Sequence, residues 1–300
     1  MSATPSGSNG LYADDRLPIA CCPTIIIYQT LVSLNWMANC GSLRSAVALV
    51  TGATAYIGRA VAHELARRGA HVVVNGRNRQ AGLAVVEEIA AAGGAAEFEA
   101  ADLTDPDAVR AMVERVVARH GRLDVLVASG AGASSDSLAF KLFMDMSGDD
   151  FDTYIRSHWL TRAHVIQAAA AAMRTQGRGK IVAIGTDAGR VATVGESFIG
   201  GATGGMMQMC RVLARELGRD GIRINAVAMS YIADAEPRWS GASPALADHL
   251  GGMLEKLKKR MLFPVYCADI ANAVAFFAGP ESDAITGQTL SVNGGLSTPG

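Results

Sequence analysis

The stretch "AVALVTGATAYIGRAVAHELARRG" (Ala46–Gly69) decides the fold. "AVALVT" is a short, fully apolar run with no polar alternation, the pattern of a strand buried on both faces. "IGRAVAHELARRG" then places apolar residues at 57, 60, 61 and 65 and a glycine stop at 69, which is helix spacing. Between them "TGATAYIG" (Thr51–Gly58) forces a tight turn. A backbone that turns from a buried strand into a helix here brings the helix N-terminus to a point where a pyrophosphate can meet it.

Working outward, the same alternation repeats. "HVVVNG", "AAEFEAAD", "LDVLVAS", "KIVAIGT", "IRINAVAM" and "GQTLSVNGG" read as further strands. "RQAGLAVVEEIAAAG", "DPDAVRAMVERVVARHG", "DDFDTYIRSHWLTRAHVIQAAAAAMRTQ", "GESFIGGATGGMMQMCRVLARE", "SPALADHLGGMLEKLKK" and "CADIANAVAFFAG" read as helices. Seven buried strands alternating with helices predict an α/β fold: a single doubly wound parallel sheet of about seven strands, helices on both faces, Rossmann-like. Residues 45–300 are expected to form one dinucleotide-binding domain, and residues 1–44 a tail.

Half of the 300 residues are apolar and the formal charge is −1, with no basic patch or charge block, so nucleic acid is not an expected partner. The five cysteines, at 21, 22, 40, 210 and 267, are odd in number and none has metal-ligand spacing with a histidine. They read as reduced thiols of a cytoplasmic protein with no metal site. "LPIACCPTIIIYQTLVSLNW" (Leu17–Trp36) approaches the length of a membrane span. Pro18, Pro23, Gln29 and Asn35 interrupt it, and its upstream flank is acidic. It is therefore read as part of the tail, with no membrane association, and Met37 as a start-like residue just ahead of the first strand.

The region from about Ser45 to Ser297 resembles the short-chain dehydrogenase/reductase family. Its loop resembles that family's "TGxxxGIG", with Tyr56 at the central glycine, and also the "TGxxGFIG" of the extended relatives, in which an aromatic precedes Ile-Gly. Thr51, Tyr56 and Gly58 fit, too, the Thr-x4-Phe/Tyr-x-Gly of halohydrin dehalogenases, which bind no nucleotide there. The resemblance implies dinucleotide contacts from Thr51, Gly52, Tyr56, Ile57 and Gly58. In "VNGRN", Gly76 stands where NAD-preferring relatives carry Asp. That leaves room for a 2′-phosphate that Arg77 can pair with, so NADP is expected over NAD. "ADLTD" resembles the adenine-contacting motif and points to Asp102 and Leu103, with Asp105 the better helix cap. "ASGA" (Ala128–Ala131) stands for the family's "NNAG", keeping close approach at Ser129 and Gly130 but losing both amides.

The family's chemistry uses a Tyr as proton donor, a Lys one helical turn later, a Ser at the substrate carbonyl and an Asn on the preceding long helix. Matching "KIVAIGTDAG" and "LARELGRDGIRINAVA" from both sides puts Thr186 at the Ser, Ile199 at the Tyr and Thr203 at the Lys. "FDTYIRSHWLT" puts His158 at the Asn. In the loop after strand six, "VAMSYIADA" replaces "VAPGxIxT". The hydroxyl survives; the other three groups do not. Thr186, His158 and Tyr231 are the candidate catalytic residues, with Tyr154 one turn before His158. Asp187 and Glu196 read as solvated carboxylates. Met206, Met207 and Met209 read as core or pocket wall. Gly200, Gly201, Gly204 and Gly205 imply either close backbone approach or a locally opened helix.

The expected function is an NADP-binding oxidoreductase-like protein with a non-standard site, acting on a small molecule through an altered proton relay. Two alternatives stay open: a non-redox lyase or dehalogenase-like enzyme on the same scaffold, and a catalytically inactive nucleotide-binding subunit. Family members usually pair through the long helix and the active-site helix. A homodimer or homotetramer, or an assembly with a related active subunit, is therefore expected.

Overall fold

The computed structural model describes residues 43–130, 141–238, 252 and 255–298. The tail expected at 1–44 lies outside them except for its last two residues, as does most of "SPALADHLGGMLEKLKK". Seven parallel strands form one sheet: β1 (Val47–Val50), β2 (His71–Gly76), β3 (Ala95–Ala100), β4 (Val125–Ala128), β5 (Gly179–Thr186), β6 (Ile222–Met229) and β7 (Thr289–Val292). Their order across the sheet is β3-β2-β1-β4-β5-β6-β7. The chain winds outward in one direction from β1 and then, from β4, in the other. The loops after β1 and β4 therefore part at the sheet's centre and leave a crevice above the strand ends.

The helices are α1 (Tyr56–Arg67), α2 (Arg79–Ala91), α3 (Pro106–His120), α4 (Gly148–Ile155), α5 (Thr161–Gln176), α6 (Ser197–Leu217) and α7 (Cys267–Ala278). One face of the sheet is covered by α1, α2 and α7, through Val61, Leu65, Val85, Ile89, Ile270 and Val274. The other is covered by α3, α5 and α6, through Met112, Val116, Ile166, Met173, Met206 and Met207. The central strands β1 and β4 are buried at every residue, as continuous apolar runs require. The expectation of seven buried strands needs correcting at the edges. β3 and β7 are only partly covered, because each has a neighbour on one side alone.

Helix starts follow sequence chemistry. Asn78 accepts from the Ala81 amide at the head of α2, and Asp105 from those of Asp107 and Ala108 at the head of α3, where Pro106 occupies the first turn. Ser147 and Asp150 form a reciprocal capping box on α4. The single long helix read from "DDFDTYIRSHWLTRAHVIQAAAAAMRTQ" is continuous but not uniform, since Arg156–Leu160 forms a π turn between α4 and α5. Among the described residues no helix is long and apolar enough to cross a membrane.

Candidate active site at the strand ends

Thr51 organises the crevice. It is fully buried, and its Oγ1 donates to the Val127 carbonyl at 3.2 Å while accepting from the Ser129 and Gly130 amides at 3.1 and 3.2 Å. This one hydroxyl holds the loop after β4 to the loop after β1, in place of the missing amide side chains. Gly52 has φ +63°, and a Cβ there would lie 2.6 Å from the Gly130 Cα; a Cβ on Gly130 would lie 2.5 Å from the Leu103 methyl. Thr51, Gly52, Leu103, Ser129 and Gly130 are thus brought together. Gly58 meets the Gly52 carbonyl at a distance no side chain tolerates, and Ile57 is buried beneath the loop.

Tyr56 has φ +47° and is more than a third exposed. The left-handed region is where glycine is free and a bulky residue is strained. Of the two family alignments, the one that sets Tyr56 at the central glycine therefore describes the backbone.

The groups present fit a dinucleotide at this half of the site. The residue before α1, Ala55, makes no side-chain cap, in contrast to those before α2, α3 and α4, and the first turn of α1 holds no acid, in contrast to those of α3 and α4. The first amides of α1 are left for an anion, at a point where the helix dipole favours one. At the end of β2 a Cβ on Gly76 would lie 2.5 Å from the Thr54 methyl, so a side chain there would have to displace Thr54. Arg77 is exposed beside it. Asp102 accepts from the amide and hydroxyl of Thr104 at 2.9 and 2.8 Å. Those bonds, helped by the Arg77 charge, hold its carboxyl below the ordinary range.

At the other half, Ile199 and Thr203 occupy the positions at which the resemblance expects a proton donor and a cation. Thr186 ends β5, partly buried, and its hydroxyl accepts from the Ala188 amide at 3.3 Å. Ile199 lies in the first turn of α6. Thr203 is buried, and its hydroxyl is turned back on the helix, donating to the Ile199 carbonyl at 2.7 Å. The helix is unbroken through its glycines, which corrects the open-helix expectation and leaves close approach. A Cβ on Gly200 would lie 2.7 Å from the Ala188 carbonyl, one on Gly204 2.9 Å from the Gly189 carbonyl, and one on Gly205 2.9 Å from the Trp159 ring. The glycines press α6 against the turn after β5 and against the π turn.

His158 is buried within that π turn, its ring stacked on Tyr154 at 5.9 Å. One turn on, the buried Arg162 donates to the Ile184 and His158 carbonyls, both at 2.9 Å, and so ties the π turn to β5. Sequence reading missed Arg162, although an Arg amid the apolar residues of a core-facing helix was a signal.

Neither of the two carboxylates read as solvated is fully exposed, Glu196 being half-buried. Asp187 is buried and accepts from Ser291, Asn293 and Ser297. Glu196, at the head of α6 one turn before Ile199, is pushed up to about 7 by burial. It faces Tyr154, whose phenol is pushed up to about 12 by burial and by the Asp150 and Glu196 charges. Phe143, Phe151 and Phe198 stack beside this group, with centroids 4.2 to 6.3 Å apart, and give it an apolar wall. Tyr231 is buried, with the Lys258 ammonium 5.5 Å above its ring. Asp234 accepts from the Cys267 amide at 2.9 Å, fastening the loop after β6 to the head of α7. Met206 and Met207 are core, and the described cysteines, Cys210 and Cys267, are buried free thiols.

Comparison with known proteins agrees with this frame. Residues 52–297 match the family model described as enoyl-(acyl carrier protein) reductase. A 3-oxoacyl-[acyl-carrier-protein] reductase of Staphylococcus aureus is 36% identical over 256 residues, covering 83% of this chain and 97% of its own. A (3R)-3-hydroxyacyl-CoA dehydrogenase of Canis lupus familiaris is 36% identical over 268 residues, covering 87% and 99%. The structure of a 7α-hydroxysteroid dehydrogenase complexed with NADH and 7-oxo glycochenodeoxycholic acid superposes with a TM-score of 0.74 at 29% identity, covering 86% and 97%. With the sheet order, the glycine loop and these matches in agreement, the chain belongs to the short-chain dehydrogenase/reductase family of nicotinamide-dependent oxidoreductases.

Proposed function

We propose that this protein is an NADP-dependent oxidoreductase that reduces a small, partly apolar oxo compound or activated alkene through a proton relay unlike that of its relatives. The observation that carries the reading is the contrast between the two halves of one site. The dinucleotide half keeps a glycine turn and an uncapped helix start, whereas Ile199 and Thr203 stand at the expected proton-donor positions. Arg77 would hold the 2′-phosphate, the α1 amides the pyrophosphate, and Leu103 and Asp102 would border the adenine. The cofactor supplies hydride chemistry when bound. Thr186 donates a hydrogen bond to the substrate oxygen. His158, Tyr154 and Glu196 form the replacement group, with Glu196 keeping a proton available near neutral pH because burial disfavours its charge. Tyr231, packed under Lys258, shapes the loop after β6. The stack of Phe143, Phe151 and Phe198 favours an apolar chain such as the acyl groups of the relatives' named substrates. We assign the protein to the cytoplasm, as a homodimer or homotetramer.

The test pairs binding with turnover. Titration with NADPH, followed by nicotinamide fluorescence, should show binding that Arg77→Ala weakens about 10- to 100-fold, with NADH little affected. Simple ketones should turn over slowly, because a positioned acid contributes about 10²–10⁴-fold and Ile199 supplies none. No NADPH binding leaves the non-redox enzyme. Binding without turnover on oxoacyl and enoyl thioesters leaves the inactive subunit. Turnover of simple ketones in the usual enzyme range of about 1–10³ s⁻¹ means that the relay is not impaired.

A further inference from the structure

At the end of the sheet remote from the glycine loop, two histidines and a glutamate converge. His71 opens β2, and Glu97 lies in β3 beside Val73, two residues along, so both side chains leave the same face of the sheet. That face is covered by α3, with Val73 packed in one cluster with Val113 and Val116. α3 ends in His120, directly over the pair. His120 Nε2 lies 2.9 Å from Glu97 Oε1, and the His71 and His120 ring centroids are 4.5 Å apart at 46°. One ligand atom from each residue lies within 4.8 Å of the other two. His71 Nε2 is buried and has no hydrogen-bond partner, which a buried polar atom seldom tolerates.

We propose that His71, Glu97 and His120 bind one divalent transition-metal ion, of which Zn²⁺ is the representative, and that the ion pins the end of α3 to β2 and β3. Two imidazoles and a carboxylate are the donor set of such ions rather than of Ca²⁺ or Mg²⁺, and three protein ligands leave a fourth position for water. Tetrahedral ligands about 2.0–2.2 Å from an ion stand about 3.3 Å apart. The His120–Glu97 pair is already that close, and rotation of the His71 ring supplies the rest. Arg119 also touches Glu97, at 3.3 Å, and competes with the ion, but its shorter contact is to Glu99, shared with Arg115. Because the three residues are 23 to 49 positions apart, spacing gave no sign of the site.

Chelator-stripped full-length protein, titrated with Zn²⁺ against a chromophoric chelator, should bind one equivalent tightly and show a rise in Tm of about 5 °C in excess ion. His71→Gln and His120→Gln should each weaken that equivalent at least about 10-fold. Affinity unchanged in both variants would assign the ion to thiols elsewhere and overturn the proposal, as would no binding by wild type. Should either variant misfold, X-ray absorption of the zinc-loaded wild type decides: two imidazoles in the shell support the site, while a sulfur or all-oxygen shell refutes it.

Discussion

A glutamate one turn ahead of Ile199 changes what that region of the chain can do with protons. Its carboxyl, ordinarily near 4.5, titrates near 7 in the folded protein because burial disfavours the charge. The folded state therefore holds this proton more tightly than the unfolded chain. The native arrangement is favoured below about pH 4.5 and loses stability as pH rises from there through 7. Glu196→Gln, which fixes the neutral form, should leave stability near that of wild type at pH 4.5 and raise it at pH 8 by up to about 3 kcal/mol in urea unfolding. Equal effects at both pH values would mean that the side chain acts by shape. Little of this was legible in the sequence. Thr186, His158, Ile199 and Thr203 are matched to their positions only through flanking motifs. The burial of Glu196 and Asp187 depends on groups contributed by distant segments, which no local pattern announces.

At the scale of elements, the glycines of α6 divide by what surrounds them. Gly201 faces open space, so Gly201→Ala should stabilise the helix by about 0.5–1 kcal/mol. Gly200→Ala and Gly204→Ala push a methyl into the backbone of the turn after β5 and should cost about 1–3 kcal/mol. Urea midpoints of the three variants separate the two cases; a uniform response would mean that the close approach is not tight. Helix periodicity and glycine stops made the elements themselves legible, and β6 lies where "IRINAVAM" predicts. The π turn was not legible, because its sequence carries ordinary helix spacing. Such turns often occur at functional sites, and this one sets His158.

For the whole molecule, the alternation of apolar runs with amphipathic segments determined the layered fold, since a doubly wound sheet is nearly the only way to bury them all. Assembly follows from what the layers leave outside. A groove of about 620 Å³ between α5 and α6 is lined by Ile166, Ala170, Ala171, Met209, Leu213 and Leu217. Small residues on α5 beside larger apolar ones on α6 suit a second copy's helices. Light scattering at micromolar concentration should give a dimer or tetramer, and Ala171→Arg should shift it toward monomer with the circular dichroism unchanged. A monomeric wild type would count against the proposed assembly.

The buried Asp187 sets an order of events in time. Its partners Ser291, Asn293 and Ser297 lie 104 to 110 residues further along the chain. While the protein is being synthesised, β5 and the turn that follows it leave the ribosome long before those partners exist. The glycine loop, closed by Thr51 onto β4, needs no residue beyond Gly130 and can form early and wait. The turn under α6 cannot, because Asp187 lacks these donors until Ser291–Ser297 have been added and β7 has docked beside β6. The glycine loop is thus the early product of translation and the turn under α6 the late one. A nascent chain that stopped short of Ser291 would hold the glycine loop closed while Asp187 still lacked its donors.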